Sequence, residues 1–352
     1  MTNDPRSSHA DGDDATYRSA SAPPPPPWSW RLAFAVALGA AVAVYVVALG
    51  RANPDFTSDF DQVWGGARAL WEHKNPYEVV GPGREYGWHW PLYYPLPALV
   101  AVAPLGLLPV LAARAVFSGL SAALFAWAIT RDGWFRVPAI ISVSFMVTME
   151  LGQWSALFTA AFFMPALGAI AFAKPNFGVA LGVSSLQRGT LAWIIGGTVA
   201  LLAVSQVLQP GWHESWLANL RAAPHFKAHV QRPFGFLLLL AALKWRRPEA
   251  RWLFALAVIP QAPSFYDQLL LTVVCLTRQE TLILAATTVL LFFYVGYNTP
   301  QPDYLAWGRL VGNGTLWICY LPMLGLVLMR PNEGPLPPVV ERFLNRLRSQ
   351  RE

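Results

Sequence analysis

The chain is poor in charged residues and in cysteine. Of its 352 residues only 13 % are Asp, Glu, Lys or Arg, about half the share of soluble proteins, whereas 55 % are apolar. This composition excludes the soluble two-domain protein that the length alone suggests. The only cysteines, Cys275 and Cys319, lie in apolar stretches, which excludes a secreted disulfide scaffold and a zinc cluster. We therefore predict an all-α fold, a polytopic bundle of transmembrane helices.

The net charge of +6 does not indicate nucleic-acid binding, because much of the basic excess lies at the ends of apolar segments. The expected partners are membrane lipids, and no nucleic acid is expected. Lys244, Arg246, Arg247 and Arg251 cluster in one loop, and further arginines follow Arg330. Basic residues favour the cytoplasmic side of a membrane, so both segments are predicted to be cytoplasmic.

That orientation decides where the other loops lie. An even number of crossings must separate two cytoplasmic segments, so 252–276 is predicted to form two short helices that meet near 263–267. The loops predicted to face outward are 51–92, 209–232 and 298–306. We expect a multi-pass protein of the cell membrane with both termini in the cytoplasm.

Three regions are predicted from the composition along the chain. Residues 1–30 are polar and rich in proline, which is typical of a disordered cytoplasmic tail. Residues 31–330 form the transmembrane domain, whose first helix, Leu32–Leu49, is expected to remain uncleaved. Residues 331–352 are predicted to form a basic amphipathic tail on the cytoplasmic side.

Several apolar stretches of the transmembrane domain are shorter than the roughly 17 residues that a full span needs. Pro or Gly interrupts them, which is typical of broken helices around a cavity, where non-helical backbone is tolerated at membrane depth. The stretches together predict about 9–12 helices.

The outer loop 51–92 is predicted to carry an amphipathic helix. Ser58 and Asp61 have the spacing of a capping box at its start, and Asn75-Pro76 ends it. The apolar residues between these points recur at i, i+3, i+4 and i+7, as on one face of an α-helix. They are Phe60, Val63, Trp64, Ala67, Leu70 and Trp71. We predict that this face lies on the outer leaflet, with Trp64 and Trp71 at headgroup level.

The chemistry is expected in the same loop. Its stretch from Tyr77 to Tyr94 is dense in aromatic residues, which suit sugars and lipid headgroups but also an ordinary interfacial belt. The capping box accounts for Asp61. Capping accounts less well for Asp59, which is the candidate base that takes a proton from a sugar hydroxyl. The alternative is that the negative charge of Asp59 stabilises the positive N-terminal end of the helix dipole, an effect of about 0.3–1 kcal/mol.

A series of short motifs runs in order along the chain. They are Ser58-Asp59-Phe60, Ala67-Arg68-Ala69-Leu70, Asn75-Pro76-Tyr77, Tyr94-Pro95-Leu96-Pro97 and Pro104-Leu105-Gly106-Leu107-Leu108-Pro109, then more loosely Gly152-Gln153 and Lys174-Pro175. Together they resemble glycosyltransferase family 87, membrane enzymes of GT-C fold that include polyprenol-phosphate-mannose-dependent mannosyltransferases. The resemblance implies a GT-C bundle and implies that Asp59 stands at the place of the family's proposed catalytic base.

Candidate ligands for the donor and the acceptor come from the same comparison and from the residue types. Lys174, a cation in an apolar run, is the candidate partner of the donor phosphate, or else a lysine that extends to an interface. Arg68 is a second phosphate candidate, or the partner of Glu72 at i+4. The candidate sugar or acceptor ligands are Asp61, Gln153, Tyr77, His89, Tyr94 and Tyr266.

No cofactor is expected beyond a polyprenyl-phosphate-linked sugar, which is a co-substrate, and the need for a metal is left open. His213, His225 and His229 fall in an outer loop that we expect to be solvated, and their spacing predicts no metal site.

The predicted function is transfer of a sugar, either mannose, as the resemblance implies, or another hexose or pentose, from a polyprenyl-phosphate donor to a lipid or glycan acceptor on the extracytoplasmic face. A phosphate leaving group needs no general acid, so one carboxylate is enough, and direct displacement inverts the anomeric centre. Two alternative functions remain. One is a secondary transporter, because broken helices also form transport sites, and the other is a non-catalytic membrane scaffold.

Overall fold

The computed structural model describes residues 26–185, 188–224, 226–299 and 303–334, together with Arg346 and Ser349. The predictions for the tails 1–30 and 331–352 therefore lie mostly outside the described residues, apart from Trp28–Trp30, which already belong to the first helix.

The described chain is almost entirely helical. Its α-helices are α1 (Trp28–Ala52), α2 (Phe60–Trp71), α3 (Pro76–Val79), α4 (Leu96–Ala101), α5 (Val110–Ile129), α6 (Val143–Glu150), α7 (Ser155–Phe163), α8 (Pro175–Ser184), α9 (Arg188–Leu208), α10 (Trp212–Ala222), α11 (Pro248–Val258), α12 (Arg278–Asn298), α13 (Tyr304–Gly314) and α14 (Leu321–Met329). Segments of 3-10 helix cover Ala103–Leu107, Val137–Ile141, Pro165–Ala173, His229–Gln231, Gly235–Lys244 and Asp267–Val274, and a π-helical turn, Thr315–Tyr320, joins α13 to α14. Two short strands, β1 (Val80–Gly81) and β2 (Tyr86–Gly87), pair in parallel.

Five helices of the described chain are long and apolar enough to cross a membrane. They are Trp28–Ala52, Val110–Ile129, Gly189–Leu208, Arg278–Asn298 and the continuous Tyr304–Met329. The predicted all-α fold is confirmed, and these helices are compatible with a membrane bundle. The remaining apolar stretches form shorter pieces, and Pro165 and Pro175 each begin a new piece, as such interruptions predicted.

Helices α1 and α5 form an antiparallel pair that defines the two ends of the bundle. Gly39 and Gly119 allow close contact, because a Cβ atom on Gly39 would lie 2.7 Å from the Gly119 carbonyl oxygen. Gly50 faces Leu111 at one end, and Arg31 donates to Thr130 at the other. The stretch of α1 from Arg31 to Gly50 covers about 28 Å, close to the thickness of a bilayer core.

The Arg31 end of the bundle gathers many of the basic residues, and we call it the basic end. Arg247 donates to the Pro331 carbonyl, and Arg330 forms ion pairs with Glu249 and Glu280. The loop 244–251 therefore meets the segment that follows residue 330, as expected if both lie on one side of a membrane. The two short helical segments predicted within 252–276 are also present, as α11 and Asp267–Val274.

The three loops predicted to face outward meet at the opposite end. Asn219 of α10 donates to the Leu92 carbonyl oxygen at 3.1 Å, and Trp90 packs against Tyr304 with ring centres 5.2 Å apart. Segments of 51–92, 209–232 and the start of α13 thus lie side by side. We call this the loop end.

The predicted helix of the outer loop is α2, but its surroundings differ from the prediction. Phe60, Val63 and Ala67 are buried within the protein, and the indole of Trp64 donates to the Leu108 carbonyl. The prediction that this face lies on lipid is wrong for these residues, because α5 and Ala103–Leu107 cover them, whereas Trp71 is 51 % exposed. Gly106 allows this contact, since a Cβ atom there would lie 2.8 Å from the Ala67 carbonyl carbon.

Candidate active site

A tight turn after α6 brings two distant parts of the chain together. Gly152 has a φ of +58°, a left-handed conformation that favours glycine. A Cβ atom at this position would also lie 2.6 Å from Cβ of Phe60. The Phe60 amide donates to the Leu151 carbonyl at 3.2 Å. The turn therefore packs directly on the start of α2 and places Gln153 beside Asp59.

The Asp59 carboxylate is not used to cap α2. Asp59 occupies the N-cap position, but its side chain makes no capping hydrogen bond. The hydroxyl of Ser58 accepts from the Phe60 amide at 3.3 Å, and the Asp61 carboxylate accepts from the Ser58 amide at 2.9 Å. Asp59 Oδ2 instead accepts a hydrogen bond of 2.5 Å from the Gln153 side-chain amide. The capping function predicted for this segment is thus carried by its neighbours, and Asp59 faces the turn.

Lys174 joins these residues from a break in the helical chain. It lies between the 3-10 segment Pro165–Ala173 and α8, where Pro175 prevents the helix from continuing backwards. Its ammonium lies 3.4 Å from Oε1 of Gln153 and 3.8 Å from Oδ1 of Asp267. The ring of Phe177 lies 4.2 Å from the same ammonium, centre to nitrogen. The amide of Gln153 thus connects Asp59 to Lys174.

Asp267 completes what we call the Asp59 cluster, made of Asp59, Gln153, Lys174 and Asp267. Its carboxylate also accepts from the Ser155 hydroxyl at 3.2 Å, and the residue is buried. With all groups ionised the cluster holds two carboxylates and one ammonium, so it keeps one net negative charge. Asp267 was not among the site residues predicted from the sequence.

The surroundings of Asp59 favour its protonated form more than water does. Burial raises the pKa of the Asp59 carboxyl above its ordinary value. The hydrogen bond from Gln153 and the charge of Lys174 act against this rise, and the charges of Asp61 and Asp267 add to it. A base with a raised pKa accepts a proton more readily.

Four aromatic residues predicted to bind sugar take different positions. The Tyr94 hydroxyl lies 3.5 Å from Oε1 of Gln153, and the Tyr77 hydroxyl donates to the Tyr94 carbonyl at 3.1 Å. The ring of Tyr266 lies 5.2 Å from the Lys174 ammonium. Tyr94 and Tyr266 thus border the cluster. Tyr77 does not contact the cluster itself but holds the backbone of Tyr94. His89 is exposed and contacts Thr57, with Nε2 and Oγ1 3.4 Å apart.

Two predicted site residues have other partners. Asp61 forms a bidentate ion pair with Arg114, whose Nε lies 2.6 Å from Oδ1 of Asp61. Arg68 pairs with Glu72 at 3.3 Å, the alternative that the i+4 spacing offered. Arg68 also follows Asp59 by nine residues, about 13 Å along the helix. The structure therefore places neither residue in the Asp59 cluster.

A polar cavity adjoins the cluster on the side of Asp267. Five buried polar atoms at its wall have no hydrogen-bond partner among the described residues. They are Nδ1 of His229, Nε of Arg232, Oε1 of Gln261, Oγ of Ser264 and the hydroxyl of Tyr320. The cavity volume is about 10 Å³, which is room for one water molecule or one hydroxyl group. Such a mixture of donors and acceptors suits a neutral hydroxyl group.

The prediction that the histidines of loop 209–232 are solvated is wrong for one of them, His229. His213 is exposed and His225 lies outside the described residues, but His229 is buried with its ring 4.1 Å from that of Tyr320. Burial, with the charge of Arg232, lowers the pKa of His229 to about 3. The ring is therefore neutral at neutral pH. The burial of His229 could not be predicted from the sequence, because the segment is polar and has no periodic pattern of apolar residues.

Arg232 is a buried cation beside the cluster. Its Nη1 donates to Asn313 at 3.2 Å, and no ion pair holds it among the described residues. Gly312 provides the space, because a Cβ atom there would overlap the guanidinium group. A buried cation without a carboxylate partner is costly in apolar surroundings and is suited to bind an anion.

No protein-family model, curated protein or solved structure matches the chain. Within the described ranges, no three His, Cys, Asp or Glu side chains are grouped as a metal site.

Proposed function

We propose that the protein is a membrane glycosyltransferase that moves a sugar from a polyprenyl-phosphate donor to a hydroxyl of a lipid or glycan acceptor, with Asp59 as the general base. Mannose is the sugar that the resemblance implies. The observation that carries the proposal is the Asp59 carboxylate. This carboxylate makes no capping hydrogen bond to α2 and accepts a hydrogen bond from Gln153. It lies at the loop end beside the buried Lys174.

The geometry supports a base that acts on one bound hydroxyl. Gln153 holds Oδ2 of Asp59, and no other described side chain donates to this carboxylate. The second oxygen can therefore accept the acceptor proton while the hydroxyl oxygen attacks the anomeric carbon. The bond from that carbon to the phosphate oxygen breaks on the opposite face, so the configuration inverts. The net negative charge of the cluster also favours the positive charge that develops on the sugar.

The leaving phosphate needs cations, and the structure offers two. The charge of Lys174 is already shared with Asp267, so Lys174 alone is a weak partner for a phosphate. Arg232 lines the cavity that Asp267 borders and has no carboxylate of its own among the described residues. We therefore assign the donor phosphate to Lys174, with Arg232 as a second positive charge beside it, while the cavity of about 10 Å³ has room only for a hydroxyl group. Arg68, the other sequence candidate, is half-exposed and paired with Glu72.

A lipid-linked donor fits the surroundings of the site better than a nucleotide sugar. The cluster lies at the loop end, opposite the basic end that the positive-inside rule assigns to the cytoplasm. Nucleotide sugars are made in the cytoplasm, whereas a polyprenyl tail can remain in the bilayer beside the helices. With the basic end in the cytoplasm, the loop end is extracytoplasmic. We assign the protein to the cell membrane.

This orientation has a direct test by thiol labelling. The native cysteines Cys275 and Cys319 are buried, so background labelling is low. A cysteine replacing exposed Asp303 at the loop end should react with an impermeant reagent in intact cells. One replacing exposed Leu243 near the basic end should react only after the cells are opened. The reverse pattern would place the site in the cytoplasm.

A secondary transporter is the second candidate, and one observation favours it. Lys174 and Asp267 form a buried ionisable pair at breaks between helical pieces, an arrangement also found in transport sites. Uptake of sugars by proteoliposomes, with a proton gradient imposed, separates the two functions. Uptake without any transfer activity would favour the transporter.

The proposal is tested with purified protein and two classes of radiolabelled donor. Transfer from polyprenyl-phosphate-mannose to a lipid extract is expected, and no transfer from GDP-mannose. Efficient use of the nucleotide sugar, with none of the lipid donor, would reject the mechanism.

A further inference from the structure

The polar cavity beside Asp267 lies where three distant segments of the chain meet. They are the segment 229–232, the stretch 261–268 and the π-helical turn Thr315–Tyr320. π-Helical turns are rare and occur frequently at functional sites. Both the first and the last residue of this turn line the cavity. The fold therefore departs from regular α-helix at the wall of a small polar space.

Hydrogen bonds and ring packing fix the walls of the cavity. The side-chain amide of Gln268 donates to the Ser264 carbonyl at 2.7 Å and to Oγ1 of Thr315 at 2.9 Å, which joins two of the segments. The ring of His229 packs on that of Tyr320 with ring centres 4.1 Å apart, which joins the third. The polar atoms at the wall are thus already in position for a ligand, and this lowers the cost of binding it.

The unpaired polar atoms of the cavity include both donors and acceptors of hydrogen bonds. None of the five residues that carry them is more than 7 % exposed. Nε of Arg232 can only donate, Oε1 of Gln261 can only accept, and the hydroxyl of Tyr320 can do either. A hydroxyl group donates one hydrogen bond and accepts two, so it can serve both kinds. An ammonium or a carboxylate group serves only one kind.

The size and the charge of the cavity also favour a hydroxyl group. Its volume of about 10 Å³ excludes a phosphate or a whole sugar ring. Its wall carries one cation, Arg232, and one carboxylate, Asp267, so the two charges cancel and attract no ion. Asp267 belongs to the Asp59 cluster as well as to this wall. A substrate bound at the cluster therefore lies next to the cavity and can place a hydroxyl group in it.

We propose that the cavity receives one hydroxyl group of the sugar that is transferred, and that donor binding requires this hydroxyl. The donor sugar is the nearer substrate, because Lys174, the proposed partner of the donor phosphate, lies 3.8 Å from Asp267. A site that hydrogen-bonds a hydroxyl group rejects an analogue without it, since the buried polar atoms of the site are then left unpaired. The inference rests on the proposed function for the identity of the donor.

Binding of donor analogues to the wild-type full chain tests the proposal without any transfer step. The probes are polyprenyl-phosphate-mannose and its 2-, 3-, 4- and 6-deoxy analogues. Each is titrated into the detergent-purified protein without acceptor and followed by native mass spectrometry. One analogue should bind about 30-fold more weakly than the parent donor, and the other three within about 3-fold of it. Equal binding of all the donors would overturn the proposal and show that a water molecule fills the cavity.

The same experiment separates this inference from the proposed function. Transfer to a lipid extract is measured in parallel with the parent donor. Binding with the expected preference but without transfer would reject the glycosyltransferase and support the cavity as a binding site for the hydroxyl group. Absence of binding by any donor would overturn the inference.

A variant of the cavity wall locates the preference. Tyr320→Phe removes an unpaired buried hydroxyl and keeps the ring that packs on His229, so the variant should fold. The analogue that the wild type rejects should bind this variant only about 3–5-fold more weakly than the parent donor does. Tyr297→Phe is the matched control, because Tyr297 is 91 % exposed and does not line the cavity, and it should keep the wild-type preference. An undiminished preference in Tyr320→Phe would contradict the proposed site.

Discussion

Gly152 is the position at which a single added methyl group should disturb both the fold and the candidate site. Its left-handed φ of +58° costs an alanine about 1–2 kcal/mol. The new Cβ atom would also lie 2.6 Å from Cβ of Phe60, and relief of such overpacking costs about 1–3 kcal/mol. Gly152→Ala should therefore destabilise the protein by about 2–5 kcal/mol, which lowers Tm by roughly 4–10 °C. Gln153 should lose its hydrogen bond to Asp59 as the turn shifts.

The assay is thermal unfolding in detergent, followed by intrinsic tryptophan fluorescence. Gly182→Ala is the matched control, because Gly182 lies within α8 and an added Cβ atom there meets no atom within 4 Å. Alanine is favoured over glycine in a helix by about 1 kcal/mol, so the control should unfold at the wild-type temperature or slightly above it. If Gly152→Ala also unfolds at the wild-type temperature, the close packing of this turn on α2 is refuted.

Three further substitutions separate the roles of the neighbouring residues. Gln153→Leu removes the hydrogen bond that favours the ionised Asp59 carboxylate, and so raises the pKa of Asp59 further. Because the base must be ionised, activity is lost as the pH falls through the pKa of Asp59. The acid limb of the kcat/KM profile should therefore move to higher pH in the variant. An acid limb at the wild-type pH would argue against Asp59 as the titrating base. Asp61→Asn leaves Arg114 without its carboxylate and should lower the free energy of unfolding by about 3 kcal/mol, and an unchanged Tm would show that the pair is not structural. Arg232→Gln should raise KM for the lipid donor about 10–100-fold with a smaller effect on kcat, and a normal KM would remove Arg232 from the phosphate site.

The sequence predicted local structure best where one physical signal dominates. The apolar repeat through Phe60, Val63 and Ala67 predicted α2, because a face of that width must be buried somewhere. The same repeat could not show what covers the face, since lipid and protein are equally apolar. The leaflet placement was wrong for that reason.

The site could be predicted only in part. Asp59, Gln153 and Lys174 were selected from separate motifs, and the structure brings their side chains together. Asp61 and Arg114 lie 53 residues apart, and no local pattern links them. Arg232 escaped prediction because its burial depends on the absence of a side chain at Gly312, a contact between distant segments.

Sugar transfer by the Asp59→Asn variant tests the proposed function most directly. The substitution keeps the size of the side chain and removes the proton acceptor, while Asp59 makes no capping hydrogen bond that the variant could lose. Purified wild-type and variant proteins are compared with polyprenyl-phosphate-mannose as donor, and their thermal unfolding is measured in the same detergent. The variant is expected to transfer sugar at a rate at least about 100-fold lower, with a stability change within about 1 kcal/mol. Transfer at the wild-type rate by a folded Asp59→Asn protein would contradict the role of Asp59 as the base.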